Sequence, residues 1–262
     1  MADRPMTSAE TWFRCYRPRA EPRIRLICLP YACGSASFYR PWAAALPADV
    51  ELLAVQYPGH EDRIVEPCLT DLHQLVDRIA GAIGGLGRTP VVLFGHSLGG
   101  AAAYEVALRL ERAATTELTG LIVSGRPAPH TVTGPVTRKT DDELWAELSR
   151  LGGTRPDVTG NPKLRDFFLP ILRSDFHMST AYRSAGGQRV GCDLVAYRGQ
   201  SDTEAEREDV ARWADLTTGS FRMREFDGGH FYLTPLSQAL TRGLLADLDA
   251  AKEARVSRPA RK

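Results

Sequence analysis

The sequence predicts an α/β fold, a mostly parallel central sheet with helices on both faces. Three observations carry that prediction. Short apolar runs alternate with helix-spaced segments along most of the 262 residues, the order that builds a parallel sheet. One junction, Phe94-Gly95-His96-Ser97-Leu98-Gly99-Gly100, sets a serine between spaced glycines, after an apolar run and before a helical pattern. The composition, 43% hydrophobic and 25% charged, is that of a globular chain long enough to bury a substantial core.

Residues 1–22 precede the first strand signal and read as an N-terminal extension; the main domain is expected over 23–251. Ile24 to Leu29 and Leu52 to Gln56 read as buried strands, with a short helix-like stretch, Phe38 to Leu46, between them. From Asp71, the residues Leu72, Leu75, Val76, Ile79 and Ile83 recur at helical spacing until Gly84, Gly85 and Gly87 end the helix. Val91 to Phe94 is a strand and Leu98 to Leu110 the helix after it. Leu121 to Ser124, Leu194 to Tyr197 and Phe221 to Phe226 complete the strand set, and Leu236 to Ala251 is a closing helix.

About 127–187 the alternation stops. A Pro/Gly/Thr-rich stretch leads into helical patterns at Asp141 to Leu151 and Leu164 to Tyr182, the latter interrupted by Pro170. A helical insertion of this kind is expected to act as a lid over the carboxyl edge of the sheet, where ligands bind. Residues 252–262 are basic, contain Pro259 and lack periodicity, so a disordered tail is expected.

The strand–turn–helix at Ser97 has the form of a nucleophile elbow, the signature of α/β-hydrolases. Gly95 and Gly99 are required because side chains there would collide where strand and helix pack closely. A serine hydroxyl is a poor nucleophile at neutral pH, so it needs a base and an acid that orients the base, in the chain order Ser, acid, His. His230 is the last histidine and follows a strand through Asp227-Gly228-Gly229. His60, His73, His130 and His177 lie upstream of a suitable acid or within the insertion. His96 sits in the elbow itself, with its ring directed elsewhere. Asp202, a few residues past Leu194 to Tyr197, is the preferred acid over Asp193, Asp209, Asp215 and Asp227. The oxyanion hole is expected from the backbone N–H of Leu98 and a second donor in Pro30-Tyr31-Ala32-Cys33-Gly34-Ser35, with Ala32 the first choice. Cys33 has no local base motif to make it a nucleophile.

Formal net charge is +1, which argues against a nucleic-acid surface, and no apolar run reaches membrane-spanning length. The first residues lack the apolar core of a signal peptide. Five cysteines at 15, 28, 33, 68 and 192 show no metal-like spacing. Reduced thiols in a cytoplasmic protein without metal or cofactor are expected. Arg63, Arg126, Arg138 and Lys139 are read as a solvated face, with an acidic partner surface as the alternative.

Leu29-Pro30-Tyr31-Ala32-Cys33-Gly34-Ser35-Ala36-Ser37-Phe38-Tyr39 resembles the opening motif of type II thioesterases, the discrete α/β-hydrolases that accompany polyketide synthases and nonribosomal peptide synthetases. Gln56-Tyr57-Pro58-Gly59-His60-Glu61-Asp62-Arg63, the elbow, Leu151-Gly152-Gly153-Thr154, Leu169-Pro170-Ile171-Leu172-Arg173-Ser174-Asp175-Phe176 and Gly228-Gly229-His230-Phe231 extend the resemblance over about 24–248. It implies a triad at Ser97, Asp202 and His230, oxyanion donors at Ala32 and Leu98, and a flexible lid over a pocket for a phosphopantetheine arm. It further implies acyl or peptidyl carrier proteins as partners and removal of stalled or aberrant acyl groups as the task. This chain departs from the family where Cys33 stands for a glycine, Leu98 for a frequent methionine and Gly100 for an alanine. Two other readings stay open from sequence: a general acyl-CoA or small-ester hydrolase, and a non-catalytic carrier-binding scaffold.

Overall fold

The inner strands are apolar runs buried on both faces, as parallel strands covered by helices must be, while the edge strand Phe221–Phe226 is partly exposed and charged. The computed structural model describes residues 8–134, 136, 138–152, 160–184 and 186–257. Its sheet has seven strands in the order β1-β3-β2-β4-β5-β6-β7: β1 Phe13–Arg14, β2 Ile24–Leu29, β3 Val50–Val55, β4 Val91–His96, β5 Leu118–Ser124, β6 Asp193–Gly199 and β7 Phe221–Phe226. Strands β2 to β7 pair in parallel and β1 lies antiparallel on β3. The helices are α1 Ser8–Trp12, α2 Arg40–Ala45, α3 Leu72–Gly84, α4 Leu98–Ala113, α5 Asp141–Leu151, α6 Pro162–Ala181, α7 Arg207–Ala211 and α8 Gln238–Ser257.

Alternate strand residues feed two cores, as the period of two requires. Ile27, Leu29, Leu93, Val123 and Leu194 face α3 and α4 on one side. Leu26, Cys28, Phe94, Ile122 and Val195 meet Trp42 of α2 and Leu240, Leu244 and Leu248 of α8 on the other. The register pairs Leu29 with Gly95, His96 with Ser124, Ser124 with Tyr197 and Gly199 with Phe226. The loops that follow these strands therefore open along one edge.

Three sequence expectations change. The described part of the 1–22 extension, from Ser8, is not external to the sheet: Phe13 pairs with Val55, and Trp12 and Phe13 are buried in the core. Two residues are too short a run to show a strand periodicity. Pro170 does not interrupt α6, which runs through it from Asn161, its N-cap. Pro170 and Asp166, whose carbonyl loses its helical N–H partner, are both exposed residues, so the proline ring sits outside the core. The 252–262 tail is helical as far as Ser257, and Lys252 reaches Asp49 at 2.8 Å and Asp249 at 3.1 Å. Residues 258–262, like Gly153 and Thr154 of the quoted motifs, lie outside the described residues. Among the described residues no helix is long and apolar enough to cross a membrane.

Between β5 and β6, α5 and α6 pack on one another through Leu144, Leu148, Leu169 and Leu172. Thr140 and Glu143 form a reciprocal capping box that starts α5.

Candidate active site

Ser97 sits between β4 and α4 with φ 54° and ψ −115°, outside the regions a side chain ordinarily adopts. Such a strained turn persists only because the packing around it leaves no alternative. A Cβ on Gly95 would lie 1.9 Å from the carbonyl oxygen of Gly99, and one on Gly99 would lie 2.1 Å from that of Leu29. Glycine at both positions lets helix and strands meet at backbone contact, as the sequence predicted.

The loops after β6 and β7 bring Asp202 and His230 together. His230 Nδ1 lies 3.1 Å from Asp202 Oδ1 and 3.0 Å from Oδ2, and Asp202 is 1% exposed. An ionised carboxylate only accepts, so Nδ1 carries the proton and Nε2 is the nitrogen left for the cavity. The two loops are stitched by their backbones: Gln200 N–H donates to Phe226 and Ser201 N–H to Gly228. Gly199 makes the crossing possible, since a Cβ there would stand 2.2 Å from the Gly229 carbonyl oxygen. The other acids lie elsewhere. Asp193 accepts from Ser220 N–H at the opposite strand end, Asp215 is taken by Arg212 and His130, and Asp227 is exposed.

His96 corrects the sequence reading in part. It is buried and not placed as the base, yet its ring does not point away from the site. It packs against the His230 ring at a centroid separation of 4.8 Å. Its Nδ1 meets Ser124 Oγ at 2.8 Å, and that hydroxyl meets the Tyr232 hydroxyl at 2.6 Å. Burial, with His230 as the second cause, holds its pKa well below the ordinary histidine value, so the wall behind His230 is uncharged. Gly125, at φ +56°, makes room for both rings: a Cβ there would come within 2.5 Å of His96 Cε1 and 3.3 Å of His230 Cε1.

Ser97, His230 and Ala32 line one cavity of about 370 Å³, walled on the insertion side by Leu148 of α5 and Phe176 of α6. Leu98 is the first residue of α4, where the N–H has no intrahelical partner. In the loop after β2, Cys33 N–H donates to Asp175 Oδ2 at 2.7 Å and Gly34 N–H to the Tyr31 carbonyl at 2.8 Å. The two amides after Ala32 are thus engaged. Burial, then Asp175 and Cys68, push the Cys33 thiol pKa well up, which leaves it a weak nucleophile.

Two of the four cations read as a solvated face are buried instead. Arg63 is 6% exposed, forks onto Glu66 and lies 4.5 Å over the Trp12 ring. Arg126 lines the cavity and donates to Ser179 Oγ and the Ser179 carbonyl; burial lowers its pKa to about 10. Arg138 and Lys139 are exposed. Sequence reasoning gave no role to Asp175 and set His60 aside, although both stand in motifs quoted above. The structure joins them, with His60 Nε2 3.0 Å from Asp175 Oδ2.

The thioesterase-domain family matches residues 24–248. A probable cadicidin biosynthesis thioesterase of Streptomyces griseus is 41% identical over 88% of this chain and 65% of its own length, so the chain spans slightly under two thirds of that relative. Thioesterase PikA5 of Streptomyces venezuelae is 37% identical over 89% of this chain and 84% of that protein. Among solved structures, the type II thioesterase BorB from the borrelidin biosynthetic cluster is 38% identical, covers 90% of this chain and 97% of its own, and superposes with a TM-score of 0.80. With a sheet of α/β-hydrolase type and a family match spanning nearly all of it, the chain belongs to the thioesterase family, alongside type II thioesterases of biosynthetic clusters.

Proposed function

We propose that the chain hydrolyses acyl thioesters from the phosphopantetheine arm of acyl or peptidyl carrier proteins, with Ser97 as nucleophile, His230 as base and Asp202 as the group that orients it. The observation that carries this reading is the buried His230–Asp202 contact at 3.0 Å beside a cavity that Ser97 and His230 both line.

In the first half-reaction His230 Nε2 takes the Ser97 proton as Oγ bonds to the thioester carbonyl carbon. Negative charge on that oxygen is held by the N–H groups of Leu98 and Ala32. The C–S bond then breaks, and the proton on His230 passes to the leaving pantetheine sulfur. In the second half, water gives a proton to His230, its oxygen bonds to the acyl carbon, and the acid leaves as Ser97 recovers its proton. Asp202 stabilises the imidazolium in both. A thiol is a better leaving group than an amine, so the demand falls on the oxyanion donors, where one donor is worth on the order of 10²–10³ in rate.

The insertion supports a lid role, since α5 and α6 wall the cavity. The names of the relatives support a biosynthetic setting, and the task proposed for the chain there is the removal of stalled or aberrant acyl groups. The test is turnover of one acyl group on a carrier domain against the same group on coenzyme A. A carrier preference supports the reading; equal turnover on coenzyme A overturns the carrier assignment. Fluorophosphonate labelling of Ser97 separates an enzyme from a silent binding scaffold.

A further inference from the structure

The proposed mechanism leaves a buried histidine–aspartate pair without a task. His60, in the loop after β3, is 3% exposed, and Asp175 on α6 is 1% exposed. His60 Nε2 lies 3.0 Å from Asp175 Oδ2 and Nδ1 lies 3.0 Å from the Pro58 carbonyl oxygen. Both neighbours are acceptors, so with an ionised Asp175 both ring nitrogens carry protons and His60 is an imidazolium. The same Oδ2 accepts the Cys33 N–H at 2.7 Å. One carboxylate oxygen therefore ties together α6, the loop after β3 and the loop that holds Ala32.

The tie falls on the peptide that matters. Gly34 N–H bonds to the Tyr31 carbonyl, which makes Tyr31 to Gly34 a β-turn with Ala32 and Cys33 at its centre. Cys33 has φ 64°, the left-handed value that a type II turn demands at its third residue and that glycine accepts most easily. Type I and type II turns differ by a flip of the central peptide, the one whose N–H is that of Cys33. Its hydrogen bond to Asp175 selects one flip against the preference of a side-chain-bearing residue.

We propose that Asp175, held in place by His60, is a positioning residue that fixes this turn and so leaves the Ala32 amide as the second oxyanion donor. This rests on the site reading above. The test uses the full chain and an acyl N-acetylcysteamine thioester, with Ser97→Ala alongside. Asp175→Ala is expected to lower kcat by about a hundredfold, the worth of one oxyanion donor, with KM within a few-fold. Asp175→Asn, which keeps an acceptor for the Cys33 N–H, is expected to recover most of that loss. Wild-type kcat in Asp175→Ala, a change in KM alone, or equal damage in Asn and Ala variants would overturn the proposal. If the Ala variant does not fold, the wild-type protein decides. On binding a trifluoromethyl ketone, the Ala32 amide resonance should shift while the Cys33 amide stays protected from exchange, and the reverse pattern contradicts it. An active Ser97→Ala variant would instead sink the site assignment itself, which keeps the two failures distinct.

Discussion

Among the described residues, two buried histidine–aspartate pairs of nearly equal length are wired differently. In one, Asp202 contacts only Nδ1 of His230, and that residue lines the cavity. In the other, both nitrogens of His60 face acceptors, Asp175 and the Pro58 carbonyl. The first pair has a nitrogen to offer, so it can pass a proton. The second has none, so it can only hold charge and geometry. A short His–Asp contact is thus no mark of a base; what the second ring nitrogen meets decides the role. Their settings differ in the same sense. His230 is backed by the uncharged His96 ring, while His60 is surrounded by groups that favour its cation.

Ser97→Ala should lower thioester turnover by on the order of 10⁶-fold, with an unchanged circular dichroism spectrum; residual turnover near wild type would remove the first pair from catalysis. Asp202→Asn should cost about 10⁴-fold in kcat through the wrong His230 tautomer, read from steady-state rates. Comparable loss of kcat, with no loss of stability, in His60→Gln would erase the distinction drawn between the pairs.

The second pair should appear in stability rather than proton transfer. Burial alone lowers the His60 pKa, but the Asp175 charge and hydrogen bond, the Pro58 carbonyl and Glu61 outweigh it, so the pKa lies above the ordinary 6.5. A raised folded-state pKa means the pair's contribution is complete below about pH 6.5 and fades as pH rises through the folded value. The Tm of the wild type should therefore fall across that window relative to His60→Gln. At pH 6 the variant should be less stable by about 3 kcal/mol, since one partner of a buried pair is gone. A wild-type profile parallel to the variant's would contradict the imidazolium assignment. The smallest expected effect is at Cys33. Replacement by Gly relieves a left-handed side-chain position worth about 1 kcal/mol, part of it offset by glycine's unfolded-state entropy. Denaturant midpoints should show Cys33→Gly within about 1 kcal/mol of wild type; a loss well beyond that would show the thiol is needed for packing.

The elbow was legible because its chemistry is local: Gly95, Ser97 and Gly99 write strand, turn and helix into five consecutive residues. Asp202 and His230 were legible because each follows a strand, and parallel strands send such loops to one edge. Asp175 and His60 were not, since they lie 115 residues apart and meet only through the packing of α6 on the sheet edge. The strand at Phe13 was too short for its period to show. The helix runs through Pro170 at an exposed position, which the rule that proline breaks a helix does not anticipate. Arg63 and Arg126 were misjudged for a related reason: long side chains are buried by partners, such as Trp12 and Ser179, that no local pattern announces.

Intact-protein and peptide mass spectrometry after fluorophosphonate treatment shows whether Ser97 is the residue acylated at this edge of the sheet. A single adduct on the peptide bearing Ser97, absent in Ser97→Ala and strongly reduced in His230→Ala, is the expected result. An adduct on another residue in place of Ser97, or undiminished thioester hydrolysis by protein fully labelled on Ser97, would contradict that assignment.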